Sequence, residues 1–269
     1  MVLKYLTLLV TLAAQPAFAH ELWIEPEEFQ VEKGAPLRAD IRNGQEFEGT
    51  DLAFFYERNI RFDLVMDDKI SPVRGRMGDS PAVQVTAPDA DGLLVIAHEG
   101  VASTLTYTEW DKFLDFAKHK DFENAEADHI AAGWSQDKFK ERYTRHSKAL
   151  VAVGDGKGAD RALGLETEFI ALTNPYAEGF SGEMAIELRY QGTLRQDAQV
   201  EVFDRAPDGT VEITLHRTDE AGRAAIPVAK GHDYLFDAVV LRPAPDAGVA
   251  DTSPVWETLW ASLTFAVPQ

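Results

Sequence analysis

The sequence predicts a mainly β protein, two tandem immunoglobulin-like β-sandwiches with a helical insertion in the first. Three observations carry this reading. Short segments rich in β-branched and aromatic residues, bounded by Gly, Pro, Asn or Asp, fill residues 20 to about 107. From about 109 to 146 the apolar spacing turns helical: Trp110, Phe113, Leu114 and Ala117 recur at helix intervals, as Trp134, Phe139 and Tyr143 do with gaps. Strand-like segments then resume at Leu150–Val153 and crowd residues 183–269.

In the first unit, residues 20–182, the expected strands are Leu22–Ile24, Phe29–Val31, Leu37–Ile41, Phe54–Tyr56, Val83–Val85 and Leu93–Ala97. Gly34-Ala35-Pro36, Asn43-Gly44, Ser80-Pro81 and Asp91-Gly92 supply turns between them. Within the helical insertion, the mixed-charge run Lys118–His129 reads as a solvated face. Phe169–Leu172 reads as a further strand, reached through the loop Gly154–Gly158, which lacks the spacing of a phosphate-binding loop. The second unit, residues 183–269, offers Met184–Tyr190, Gln199–Phe203, Glu212–Leu215, Ala224–Pro227, Tyr234–Val240 and Ala261–Phe265, with turns at Gln191–Leu194 and Asp219–Gly222. Its own alternating core and turn set predict a unit that folds alone.

Residues 1–19 have the composition of a secretory signal. Lys4 precedes the apolar run Tyr5–Ala14, Pro16 ends that run, and Ala17-Phe18-Ala19 supplies a cleavage site. The run is about half the length of a membrane span. Cleavage after Ala19 leaves His20 as the first residue. Export without any cysteine points to a Gram-negative periplasm.

Charge narrows the partners. The formal net charge is −19, and loss of the segment bearing Lys4 makes the chain one unit more negative. Nucleic-acid affinity rests mainly on Lys and Arg, so a nucleic-acid partner is not expected. Cations are attracted to such a surface, although acidity is first a solubility device.

Signatures of enzyme chemistry are missing. The sequence has no G-x-S-x-G elbow, no H-E-x-x-H pair and no cysteine, and no catalytic residue is expected. The histidines are more informative. An N-terminal His20 would carry an α-amine and an imidazole on one residue, and the two nitrogens can close a chelate on one metal ion. The amine, with an ordinary pKa of about 8, gives up its proton to a metal at modest cost near neutrality. Glu21, His98, His146 and His232 are the candidates for completing the coordination, His98 at a strand end, His146 where the insertion returns to the sheet, and His232 in a turn. Nitrogen ligands suit nickel, copper and zinc, with bare affinity rising toward copper.

Several phrases taken together are more specific than any one of them: Ala19-His20-Glu21-Leu22-Trp23-Ile24-Glu25-Pro26, Arg142-Tyr143-Thr144-Arg145-His146-Ser147-Lys148-Ala149-Leu150, Leu172-Thr173-Asn174-Pro175-Tyr176, Tyr190-Gln191-Gly192, Thr218–Arg223 and Trp260–Phe265. The set resembles a domain-of-unknown-function family of periplasmic proteins labelled as nickel-uptake or cobalt-transporter components. The C-terminal part is similar to carboxypeptidase-regulatory-like, transthyretin-like sandwiches. The resemblance covers nearly all of the chain after the leader. It implies a periplasmic protein that binds nickel or cobalt and passes it to a membrane metal transporter or outer-membrane receptor, without itself spanning the membrane. By ligand chemistry alone the ion could equally be copper. Two other functions fit the same residues. One is a non-metal binding or scaffold module recognising a protein or a glycan. The other is a copper enzyme built on an N-terminal histidine.

Overall fold

The computed structural model describes residues 20–269. The expected signal segment lies outside the described residues. The strands, in chain order, begin with β1 (Glu21–Pro26), β2 (Gln30–Val31), β3 (Pro36–Gln45), β4 (Glu48–Leu52), β5 (Asn59–Met66), β6 (Lys69–Pro72), β7 (Val83–Thr86), β8 (Gly92–Gly100) and β9 (Ser103–Tyr107). Two helices follow, α1 (Trp110–His119) and α2 (Ala125–Ala131). The chain continues with β10 (Phe139–Val153), β11 (Thr167–Ala171), β12 (Glu183–Tyr190), β13 (Thr193–Leu194), β14 (Gln199–Arg205), β15 (Val211–Arg217), β16 (Arg223–Pro227), β17 (Asp233–Pro243) and β18 (Trp256–Ala266). The protein is mainly β, built from several sheets.

One ten-stranded sheet runs through both halves of the chain, in the order β15-β14-β17-β18-β10-β8-β5-β6, with β2 and β9 also on β10. The link is a parallel pairing of β10 with β18, from Glu141 opposite Trp256 to Ala149 opposite Thr264. A small sheet of β1, β3, β4 and β7 covers one face of its N-terminal half, and a second, of β11, β12, β13 and β16, lies on the opposite face. The expected boundary at residue 183 therefore falls between β11 and β12, which are hydrogen-bonded neighbours.

Burial on both faces explains the continuous apolar runs. In β8, Leu94 and Ile96 join Ile24, Leu37 and Val83 in one core, while Leu93 and Val95 join Phe169, Ile186 and Phe236 in the other. β18 is buried along nearly its whole length for the same reason.

The helical insertion is shorter than its aromatic spacing predicts. Residues 139–146 belong to β10, and the helices end at Ala131. Phe139 and Tyr143 are four apart, which fits a helix face and equally one face of a strand. Tyr107 and Phe139 stack at 5.1 Å across the β9–β10 pairing, and that contact decides for the strand. The helices pack through Phe113, Phe116 and His129 on Trp256 and Trp260. Phe54–Tyr56 likewise is not a strand but leads into a short 3-10 turn. No helix among the described residues is long and apolar enough to cross a membrane.

β1 is the edge strand of its sheet, so alternate carbonyls on its free side need partners. The Ser147 and Ser262 hydroxyls both donate to the Leu22 carbonyl, at 3.0 and 2.8 Å, and the Thr264 hydroxyl donates to the Ile24 carbonyl at 2.5 Å. Side chains of β10 and β18 thereby seal an edge that backbone pairing leaves open.

Candidate functional site

The same alternation positions His20, two residues before Leu22. Its carbonyl accepts two N–H groups from the Arg145 guanidinium, Nη2 at 2.6 Å and Nε at 3.2 Å. Arg145 is itself held over the ring of Tyr143, with its guanidinium carbon 4.4 Å from the centroid. The His20 ring contacts Asn43, with Nδ1 3.5 Å from the amide nitrogen. The backbone at His20 is thus fixed by a charged donor from another sheet.

Asn43 and Arg145 line a cavity of about 460 Å³, and His98 lines it with them. His98 is buried, 3% exposed, between Phe62 and Asn59. Its Nε2 lies 2.8 Å from Asn59 Oδ1, an acceptor, so the proton sits on Nε2 and Nδ1 carries the lone pair. That Nδ1 is buried and has no hydrogen-bond partner. Burial, with His146 adding to it, pushes the imidazole down to about 4, so His98 is neutral at physiological pH. A neutral imidazole with an unused lone pair can act as a metal ligand. Buried polar atoms of this kind are uncommon, and this one calls for a reason.

The other expected ligands lie elsewhere. His146 is on the face of β10 opposite Arg145 and Ser147, where its Nδ1 donates to the Trp260 carbonyl at 3.1 Å. Its Nε2 is 3.9 Å from Glu99 and likewise lacks a hydrogen bond. His232 pairs with Asp204 at 2.6 Å in the C-terminal half. His98 shares its cavity with Asn43 and Arg145, the two side chains that contact His20, while His146 and His232 do not line it.

Glu21 turns the other way, into a buried ionic cluster that sequence reasoning missed. The Lys120 ammonium donates to Glu201 at 2.6 Å, to Glu21 at 3.0 Å and to Asp237 at 3.0 Å, and sits 4.9 Å over the Trp260 ring. Each carboxylate offers an oxygen within 4.8 Å of the others, a spacing that could hold a metal ion. The lysine occupies the place of that cation. Burial would depress the ammonium, but Asp237, Glu21 and Glu201 outweigh it and hold Lys120 above the usual lysine range. Burial, opposed by Lys120 and reinforced by Glu21 and Glu201, pushes the Asp237 carboxyl up to about 7. The cluster ties the end of α1 to β1, β14 and β17 at once. A signal for it was present: Glu201 and Asp237 are carboxylates inside apolar strand runs, where a charge needs a partner.

The sequence profile of a family described as "Domain of unknown function (DUF4198)" matches residues 17–242. No curated protein matches the sequence. Among solved structures, the D0-D1 domain of Intimin aligns at 9% identity, covering 90% of this chain and 97% of its own, with a TM-score of 0.21. A Salmonella alpha-2-macroglobulin mutant aligns at 9% identity over 94% of this chain and 15% of its own, with a TM-score of 0.24. The Yersinia pseudotuberculosis adhesin InvE aligns at 9% identity over 92% and 58%, with a TM-score of 0.20. Likeness at this level says nothing of function.

Proposed function

The chain belongs to the DUF4198 family, whose description names no activity, and we propose that it is an exported periplasmic protein that binds one divalent transition-metal ion at His20 and His98. The observation that carries this reading is the buried, neutral His98, whose unpartnered Nδ1 belongs to a residue lining the same cavity as the two side chains that hold His20.

Cleavage after Ala19 would free the α-amine of His20, giving that residue two nitrogens for one ion, and His98 Nδ1 would supply a third. All three are neutral nitrogen donors when deprotonated, a set suited to nickel, copper or zinc. The Arg145 charge works against a cation here, and the strongly acidic chain as a whole works for it. The ion is cargo in this account, captured and released to a membrane transporter or receptor without a covalent step. The family resemblance drawn from the sequence motifs favours nickel or cobalt.

Asn59 orients His98 by accepting its Nε2 proton, so it acts as a positioning residue. Calorimetric titration with nickel, cobalt, copper and zinc tests the reading: Asn59→Ala should weaken binding about tenfold and His98→Ala more than that. Unchanged affinity in His98→Ala would overturn the site. A second reading, a binding module for a non-metal ligand, is favoured by the two guanidinium groups, Arg58 and Arg145, that line the same cavity. It would be supported by ligand binding that depends on those arginines and ignores His20.

A further inference from the structure

A second cavity, of about 220 Å³, opens beside the Lys120 cluster and shares no residue with the cavity of His98. Its walls come from the segment after α1, the loop leading into β14, and β17. Asp237 is 1% exposed and uses Oδ2 on Lys120, while Oδ1 is buried without a hydrogen-bond partner. In the same cavity Arg195 donates from Nη2 to the Val239 carbonyl at 2.8 Å, and its Nη1 is also buried and unpartnered.

These two groups are near enough to interact electrostatically: burial lowers the Arg195 guanidinium and Asp237 acts against that. They form no direct ion pair. An N–H donor and a carboxylate acceptor that line one cavity without meeting call for an atom that accepts from one and donates to the other. A hydroxyl oxygen does both. Each buried polar group left unsatisfied costs about 1–3 kcal/mol, so a bridging hydroxyl is favoured at this point.

The rest of the wall narrows the choice of ligand. The partly exposed ring of Phe122 offers an apolar surface, as the C–H face of a sugar requires. Gln196 and Gln199 offer amides for further hydroxyls. Lys120 and Arg195 stand against Glu201 and Asp237, and the two further carboxylates of the wall, Asp121 and Asp197, share the Arg217 guanidinium, so the wall is acidic on balance and disfavours an anionic ligand. The volume falls below the roughly 300–1,000 Å³ of sites for drug-sized ligands and suits a single ring.

We propose that this cavity binds one neutral sugar ring through a hydroxyl bridged between Arg195 Nη1 and Asp237 Oδ1, with Phe122 against the ring. The inference is independent of the metal site.

Saturation-transfer NMR on the protein beginning at His20 provides the test. The probes are glucose, galactose, mannose and N-acetylglucosamine as free sugars, and their methyl glycosides, which stand in for the end of a glycan. At least one probe should bind, and a preference for the glycosides would assign the site to a glycan terminus. Arg195→Gln and Phe122→Leu should each weaken binding about tenfold, the effect of losing one hydrogen bond to a charged group or one ring contact. His98→Ala should leave it unchanged. Phe122 is partly exposed, so its variant tests the site even if Arg195→Gln fails to fold. Absence of binding by every probe, or native affinity in Phe122→Leu, would overturn the proposal and leave water as the bridging group.

Discussion

The Arg145 guanidinium donates twice to the carbonyl of His20, across 125 residues of sequence. Three alternate carbonyls, that of His20 just before β1 and those of Leu22 and Ile24 within it, are met by side chains from β10 and β18. The free edge of β1 is therefore docked on the central sheet by side chains in place of a backbone ladder. Arg145→Leu should cost about 1.5–3 kcal/mol, the range for a hydrogen bond to a charged group. Hydrogen exchange should show the loss as faster exchange at β1, with β8 and β18 unaffected. Unchanged protection at β1 would mean that the clamp is incidental.

Lys120 is the only cation within hydrogen-bonding distance of Asp237 among the described residues, and three carboxylates share it. Lys120→Met should destabilise the chain by about 3–5 kcal/mol, because it leaves buried carboxylates without a counter-charge. Urea denaturation measures this. Adding Asp237→Asn to Lys120→Met should recover part of the loss, since one uncompensated charge is then removed. A Lys120→Met protein as stable as the native one would show that the cluster carries no stability.

Glu141 predicts a pH effect with a definite sign. Burial pushes its carboxyl up to about 7, although Thr258, Tyr107 and Arg145 act in the opposite direction. The folded state therefore holds this proton more tightly than the unfolded state, whose carboxyl titrates near 4.5. The contribution to stability is complete below 4.5 and is lost as pH rises through about 7. Glu141→Gln should lose that dependence, and the native protein should give up on the order of 2 kcal/mol more than the variant between about pH 5 and pH 8. His98 titrates in the reverse sense. Its depressed value means that stability present above 6.5 is lost as pH falls toward 4. Comparing native protein and variant at each pH removes that shared contribution.

The continuous sheet bears on fragments. A piece spanning 183–269 would retain β12 and β18 but lose β11 and β10, their respective partners. It would then expose two strand edges flanked by apolar residues such as Ile186 and Leu263. We expect no cooperative unfolding transition from this fragment by circular dichroism, whereas the protein from His20 onward should show one. A sharp transition in the fragment would establish an independent C-terminal unit.

Composition and turn residues made the β-rich character legible, as did the paired helices between two runs of strands. The apolar runs Leu93–Ala97 and Ala261–Phe265 identified strands without saying that both faces are covered by different sheets. The β10–β18 pairing is invisible locally, since its partners lie more than a hundred residues apart. Lys120 could not be read from its surroundings: it lies in a charged run, and its carboxylate partners are 81, 99 and 117 residues away. His20 and His98 were singled out by chemistry, one as a chain terminus and one at a strand end. Asn43 on β3 and Arg145 on β10 link the two, each contacting His20 and lining the cavity of His98, and pairing between distant strands leaves no mark on either histidine.

The most direct test of the metal site is calorimetric titration of nickel and copper into the protein beginning at His20, beside the same protein with one extra residue in front. The account predicts one ion per chain for the native start, with a proton released from the amine. It also predicts affinity weaker by at least about tenfold for the extended form, because the added peptide bond removes the amine from the chelate. His98→Ala should fall in the same direction, and His232→Ala should match the native protein. An extended protein that binds nickel and copper as tightly as the native form would contradict the account.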